Sequence, residues 1–108
     1  MDSGNLDLAG HTFFENKNLK GLLLHGVAAA RGARKELADA YFNKALQLDR
    51  DNEVALLWMA TLATNPFDAR NFLQRLLSNN PSHQLAITYY KLADQRCSEL
   101  DNLIFIND

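Results

Sequence analysis

The chain has 108 residues, is 47% hydrophobic and carries a formal net charge of −2. That suits a globular domain with a real core and lacks the basic excess of a nucleic-acid-binding surface. A single cysteine, Cys97, excludes an internal disulfide and points to a reducing compartment. The start, MDSGNLDLAG, has neither the basic nor the apolar region of a signal peptide. The longest apolar runs, 22–30 and 54–63, fall far short of the roughly 20 residues that span a bilayer. A cytoplasmic chain with no membrane contact is expected.

In chain order, residues 1–18 read as a loosely docked segment. Thr12 and Glu15 have the spacing of a capping box there. From Leu19 the signal firms, because Leu19, Leu22, Leu23, Gly26, Val27 and Ala30 recur on one helical face. Gly32 is a natural stop, and a second helix is expected from near Arg34 to about Leu48. Asp51 or Asn52 would cap a third helix over 53–63, with Glu53 in the first turn where a negative charge suits the helix dipole. Asn65-Pro66 then supplies an N-cap and a proline at the first helical position, starting a fourth helix. The turn before that proline is very short, so these two helices must be antiparallel neighbours. The fourth helix ends at Ser78-Asn-Asn-Pro81. Ser82 would cap a fifth, reaching about Leu100, with Leu85, Ala86, Tyr89, Leu92, Ala93 and Cys97 facing inward. The tail Leu103–Ile106 reads as an apolar run too short for a helix of its own. Proline and glycine are too few, against Ala and Leu, to favour sheet.

The second helix carries the strongest pattern. Ala38, Tyr41, Phe42, Ala45 and Leu46 share one face, while Asp39, Asn43, Lys44 and Gln47 share the other. An alanine four residues ahead of an aromatic sets a notch beside a knob, the shape of a helix packed closely in a stack. Thirty residues on, Ala69, Phe72, Leu73, Leu76 and Leu77 make an echo, with Phe42 falling on Phe72 and Leu46 on Leu76. Phe42 and Phe72 are therefore expected to be buried anchors of two repeated units.

On these residues the chain resembles tetratricopeptide repeats over 19–100. Gly26 falls on the family glycine, and Ala38 with Phe42 forms the A-x3-F pattern. Leu22, His25 and Ala29 stand where Trp, Leu and Tyr are usual. In the second unit Leu56, Met59, Ala60 and Ala63 hold the first-helix places, Asp68 replaces the alanine before Phe72, and about four residues are missing at the turn before Pro66. The resemblance implies an all-α antiparallel stack of helix pairs, about five helices, with the last as an unpaired cap. It also implies a concave groove lined by the first helix of each unit. Lys20, Leu23, Leu24 and Val27 would contribute from the first unit and Val54, Leu57, Trp58 and Thr61 from the second. The last helix would add Gln84, Ile87, Thr88 and Lys91. Members that hold chaperone tails place Lys and Asn in a carboxylate clamp, where this chain has Leu23, Val27, Leu57 and Thr61. Chaperone-tail binding is therefore not expected.

Little in the residues suggests bond chemistry. His11, His25 and His83 lie on different elements without a metal-ligand spacing, and no nucleophile elbow, zinc-protease motif or phosphate loop is present. Cys97 reads as a small buried residue, and Arg31, Arg34 and Lys35 as a solvated basic turn. No enzyme activity, cofactor, metal or nucleic acid is expected. The expected function is a protein-interaction adaptor whose groove takes a partner peptide or helix. Self-assembly into a homodimer is the alternative, and a regulatory site for a small apolar ligand a further one. The third helix, VALLWMATLAT, is apolar on every side. Trp58, Leu57 and Val54 therefore need a cover: a second copy, a partner helix, the chain's own Leu103–Ile106 tail, or curvature of the stack itself.

Overall fold

The computed structural model describes residues 18–106, with side chains described through residue 104. The segment 1–17, which includes His11 and the Thr12–Glu15 spacing, lies outside the described residues. Among those described the fold is all-α, five helices with no strand. Helix α1 covers 18–31, α2 Lys35–Leu48, α3 Glu53–Leu62, α4 Pro66–Asn79 and α5 Gln84–Ile106. No helix among the described residues is long and apolar enough to cross a membrane. The chain forms two compact units that divide between Arg50 and Asp51.

The first unit is organised by one ring. Phe42 on α2 is fully buried, flanked by the equally buried Ala38 and Ala45. Across from it Gly26 sits mid-helix in α1, and a Cβ built there would lie 2.7 Å from Phe42 Cε1. A helical glycine costs about 1 kcal/mol relative to alanine. Here the missing methyl is the space the ring occupies. On the rim of the same pair, His25 stacks on Tyr41 with ring centroids 5.4 Å apart.

Helix α1 ends at Gly32, where the sequence places its stop, but the left-handed residue comes one position later, at Ala33 with φ 61°. The Arg34 amide donates to the Ala29 carbonyl at 2.8 Å and the Ala33 amide to that of Ala30 at 3.1 Å. Those two bonds make a Schellman close with alanine in the position glycine favours. Lys35, the last residue of the basic turn, is paired with Asp39 at 2.9 Å.

In the second unit the caps follow the sequence closely. Asn52 Oδ1 accepts from the Ala55 amide at 3.0 Å, deciding between the two candidate caps of α3. Asn65 Oδ1 accepts from the Asp68 amide at 2.9 Å while its Nδ2 donates to the Asp68 carboxylate at 3.0 Å. Asp68 thus completes a reciprocal cap at the start of α4. Helix α5 starts later than expected. Its cap is His83, whose Nδ1 accepts from the Ala86 amide at 3.2 Å, while Ser82 turns its hydroxyl to Asn80 Oδ1 at 3.2 Å.

Three expectations are corrected here. Phe72 is only partly covered, and Leu73 and Leu76 take the fully enclosed places on α4. The reason is register. Ala38, Phe42 and Ala45 in α2 match Ala69, Leu73 and Leu76 in α4, an offset of thirty-one residues rather than thirty. Leu85, Tyr89 and Leu92 are not inward, because α5 meets α4 along its smaller residues, Ala86, Ala93 and Cys97. The run from Leu103 is no separate tail; it continues α5, and Leu103 and Ile104 lie exposed. They are therefore no cover for Trp58.

Two substitutions test the first unit. Gly26→Ala should lower unfolding free energy by roughly 1–3 kcal/mol through overpacking against Phe42. Ala33→Gly should raise it by about 1 kcal/mol by relieving the left-handed alanine. Urea titration measures both, and a neutral Gly26→Ala would show that the ring does not sit where described.

Candidate functional site

Helix α4 packs against both α3 and α5. Its own helix-period stripe explains this, since Leu73 and Leu76 are enclosed while polar Gln74 and Ser78 stay outside. Along the α5 contact, Ala86, Ala93 and Cys97 are all buried, and such small side chains permit close approach. Two polar ties fix the arrangement. Arg70 donates to Asp94 at 2.8 Å from α4 to α5, with its guanidinium 5.9 Å from the centre of the Phe67 ring. The Asp94 hydrogen bond raises the Arg70 pKa above its already high ordinary value, so the guanidinium stays charged. At the other end Glu53 accepts from Asn80 Nδ2 at 3.1 Å and lies 3.8 Å from His83 Nε2, tying the start of α3 to the α4–α5 turn.

Beyond the α3–α4 turn this leaves a cleft of about 310 Å³. Ala60 and Thr61 of α3 form one wall, Ala69 and Leu73 of α4 the floor, and Tyr89, Leu92 and Arg96 of α5 the other wall. The lining is mostly apolar. Leu92 is 50% exposed and Tyr89 37%, so these side chains stand at the mouth.

The cleft opens onto a longer feature. Leu85, Tyr89, Leu92, Arg96, Glu99 and Leu103 recur at alternating intervals of four and three, the spacing of a coiled-coil seam on one helix face. All six are exposed. The buried stripe of α5 has the same spacing but is covered only as far as Cys97. Beyond it Leu100 and Ile104 are exposed, since α5 has 23 residues against the 14 of α4. Within the outer seam two charged groups interrupt the apolar residues. Arg96 makes no ion pair among the described residues, and Glu99 accepts one long hydrogen bond, 3.4 Å, from Gln95.

The residues expected to line a groove are placed as follows. In the first unit Lys20 and Leu24 are exposed and Leu23 and Val27 partly covered. In the second, Val54 and Thr61 are exposed, and Leu57 and Trp58 partly covered. On α5, Gln84, Thr88 and Lys91 are exposed and Ile87 partly covered. Of these only Thr61 lines the cleft. The exposed seam from Leu85 to Leu103 was missed in the sequence because apolar residues at helical spacing were assigned to the core. The signal was present: α5 carries two parallel apolar stripes, and one neighbouring helix covers only one.

Among the described residues no three His, Cys, Asp or Glu side chains come together as a metal site. Cys97 is buried, as its sequence context suggested. What this face offers is apolar contact area with one guanidinium and one carboxylate set into it. Compared with protein families, curated proteins and solved structures, the chain has no significant match.

Stability separates the two stripes. Leu76→Ala, in the enclosed stripe of α4, should cost roughly 2–5 kcal/mol. Leu92→Gln, on the outer seam, should stay within about 0.5 kcal/mol of the parent. Thermal unfolding of dilute protein checks the pair, and a large loss at Leu92 would make it core.

Proposed function

We propose that the chain is a protein-interaction module that presents the outer face of α5, with the adjoining cleft, to an amphipathic helix of a partner. The observation that carries this is the uncovered seam: Leu85, Tyr89, Leu92 and Leu103 lie exposed in one line on one helix. Large apolar side chains lined up in water in this way mark interaction sites. A helix laid along it would bury alternating four- and three-residue anchors, the geometry of helix-in-groove recognition. The cleft by itself would suit a small apolar ligand. The seam's continuation beyond the cleft to Leu103 favours a helix instead.

The tetratricopeptide-like reading belongs to the same proposal. It is supported by the two helix pairs, by Gly26 beneath Phe42, and by the Ala69–Leu73 spacing that repeats Ala38–Phe42. In that reading α5 is a first helix without its second. Its outer face is where the next element of a stack would rest.

A photoreactive benzophenone side chain reads the docking face directly. Placed at Tyr89, on the seam, it should give covalent protein adducts in the cell, and Leu92→Asp in the same chain should abolish them. At Lys91, on the same helix but off the seam, it should give none. Equal labelling at the two positions, or none at either, would contradict the proposal.

A further inference from the structure

We infer that the helix docked on this face is α5 of a second copy of the chain, running antiparallel. Leu92 then lies opposite Leu103 of the partner subunit, and Arg96 opposite Glu99 of the partner subunit. The inference rests on the docking reading of the α5 seam and names the partner of that site.

Charge and symmetry select this pairing. A two-fold interface is self-complementary, so each residue must suit the one at its mirrored position. The seam residues Leu92, Arg96, Glu99 and Leu103 are separated by four, three and four positions. Read from either end, the intervals are the same, the outer members are apolar and the inner two are charged. Only the sign exchanges, which is what an antiparallel pair requires. Two Leu–Leu contacts then flank two Arg–Glu contacts, all on one face. A parallel pair would set Arg96 against Arg96 of the partner subunit and Glu99 against Glu99 of the partner subunit, and like charges facing across a seam are disfavoured.

The same residues argue against a wholly apolar partner. Arg96 has no ion pair among the described residues, and Glu99 has only its long contact to Gln95. An apolar helix laid over them would strip water from two charges and return nothing. A second copy supplies both counter-charges from the residues already present. Helix α5 is continuous through Gln84–Ile106, so the register holds from Tyr89 to Leu103. Leu100 and Ile104, exposed beside it, widen the apolar border where α5 passes the end of α4. A single helix pair lies at the small end of stable interfaces. The dimer should therefore depend on protein concentration, and on ionic strength through its exposed charges.

Sedimentation of the full chain over a concentration series tests the pairing by charge exchange. Arg96→Glu alone and Glu99→Arg alone each set like charges face to face. Each should raise the dimer dissociation constant by more than about tenfold. The double exchange should restore the homodimer, and mixing the two single variants should give a heterodimer, since both opposite-charge contacts re-form between them. Both positions are exposed, and circular dichroism confirms that every variant is folded. If the parent dimer persists unchanged through both single exchanges, the register is overturned. If the parent is monomeric at every concentration while benzophenone at Tyr89 still captures another protein, self-pairing is overturned and the docking face stands. A monomer that captures nothing would overturn both.

Discussion

The second unit depends on a mismatch of lengths. Helix α5 has 23 residues and the helix it rests on has 14, so at about 1.5 Å per residue it runs more than two turns further than its support. Close packing is possible only where both helices are present and side chains are small, hence the buried line Ala86, Ala93 and Cys97. Those small residues bring the backbones together but leave the larger leucines on the flank. The same choice that makes the contact tight makes the outer face apolar and uncovered. The cleft lies between α3 and α5, which each lean on α4, and has Leu73 and Ala69 of α4 as its floor.

The first unit solves the same problem differently. Its close approach is set by a single missing Cβ at Gly26, and the volume is filled by Phe42. In the second unit Leu73 replaces the ring, and Ala60 is among the buried residues of the facing helix α3. A leucine leaves less of a wedge than a phenylalanine, and part of its surface borders the cleft.

Much of this was legible in the residues. The caps at Asn52 and Asn65, the proline at the start of α4 and the notch-and-knob face of α2 are local signals. Local physics, amide satisfaction and helix periodicity, decides them. The echo in α4 is visible in the residues but one position out of register, because Phe72 is larger than Leu73 and attracts the alignment. Aromatic size is a poor guide where the neighbouring position has the better angle to the core. Residue type favours Ser82 as the cap of α5, whereas His83, which also reaches toward Glu53, holds the position in space. The outer seam was hidden for a more general reason. Periodicity shows that a face is apolar; which of two apolar faces is covered depends on the number and length of the helices beside it. Only the assembled unit contains that information.

Dipolar spectroscopy on singly spin-labelled chains tests the occupied α5 face most directly. Cys97 would be replaced by Ala, and a nitroxide attached through Ser98→Cys or Thr88→Cys, both exposed positions away from the centre of the seam. In the antiparallel pair Ser98 lies beside the two-fold axis, with an offset along the helix of about 1.5 Å between copies, whereas Thr88 is offset by about 28 Å. A distinctly shorter label-to-label distance at Ser98 than at Thr88 is the expected result. Equal distances at the two sites, or no dipolar coupling at either, would contradict it.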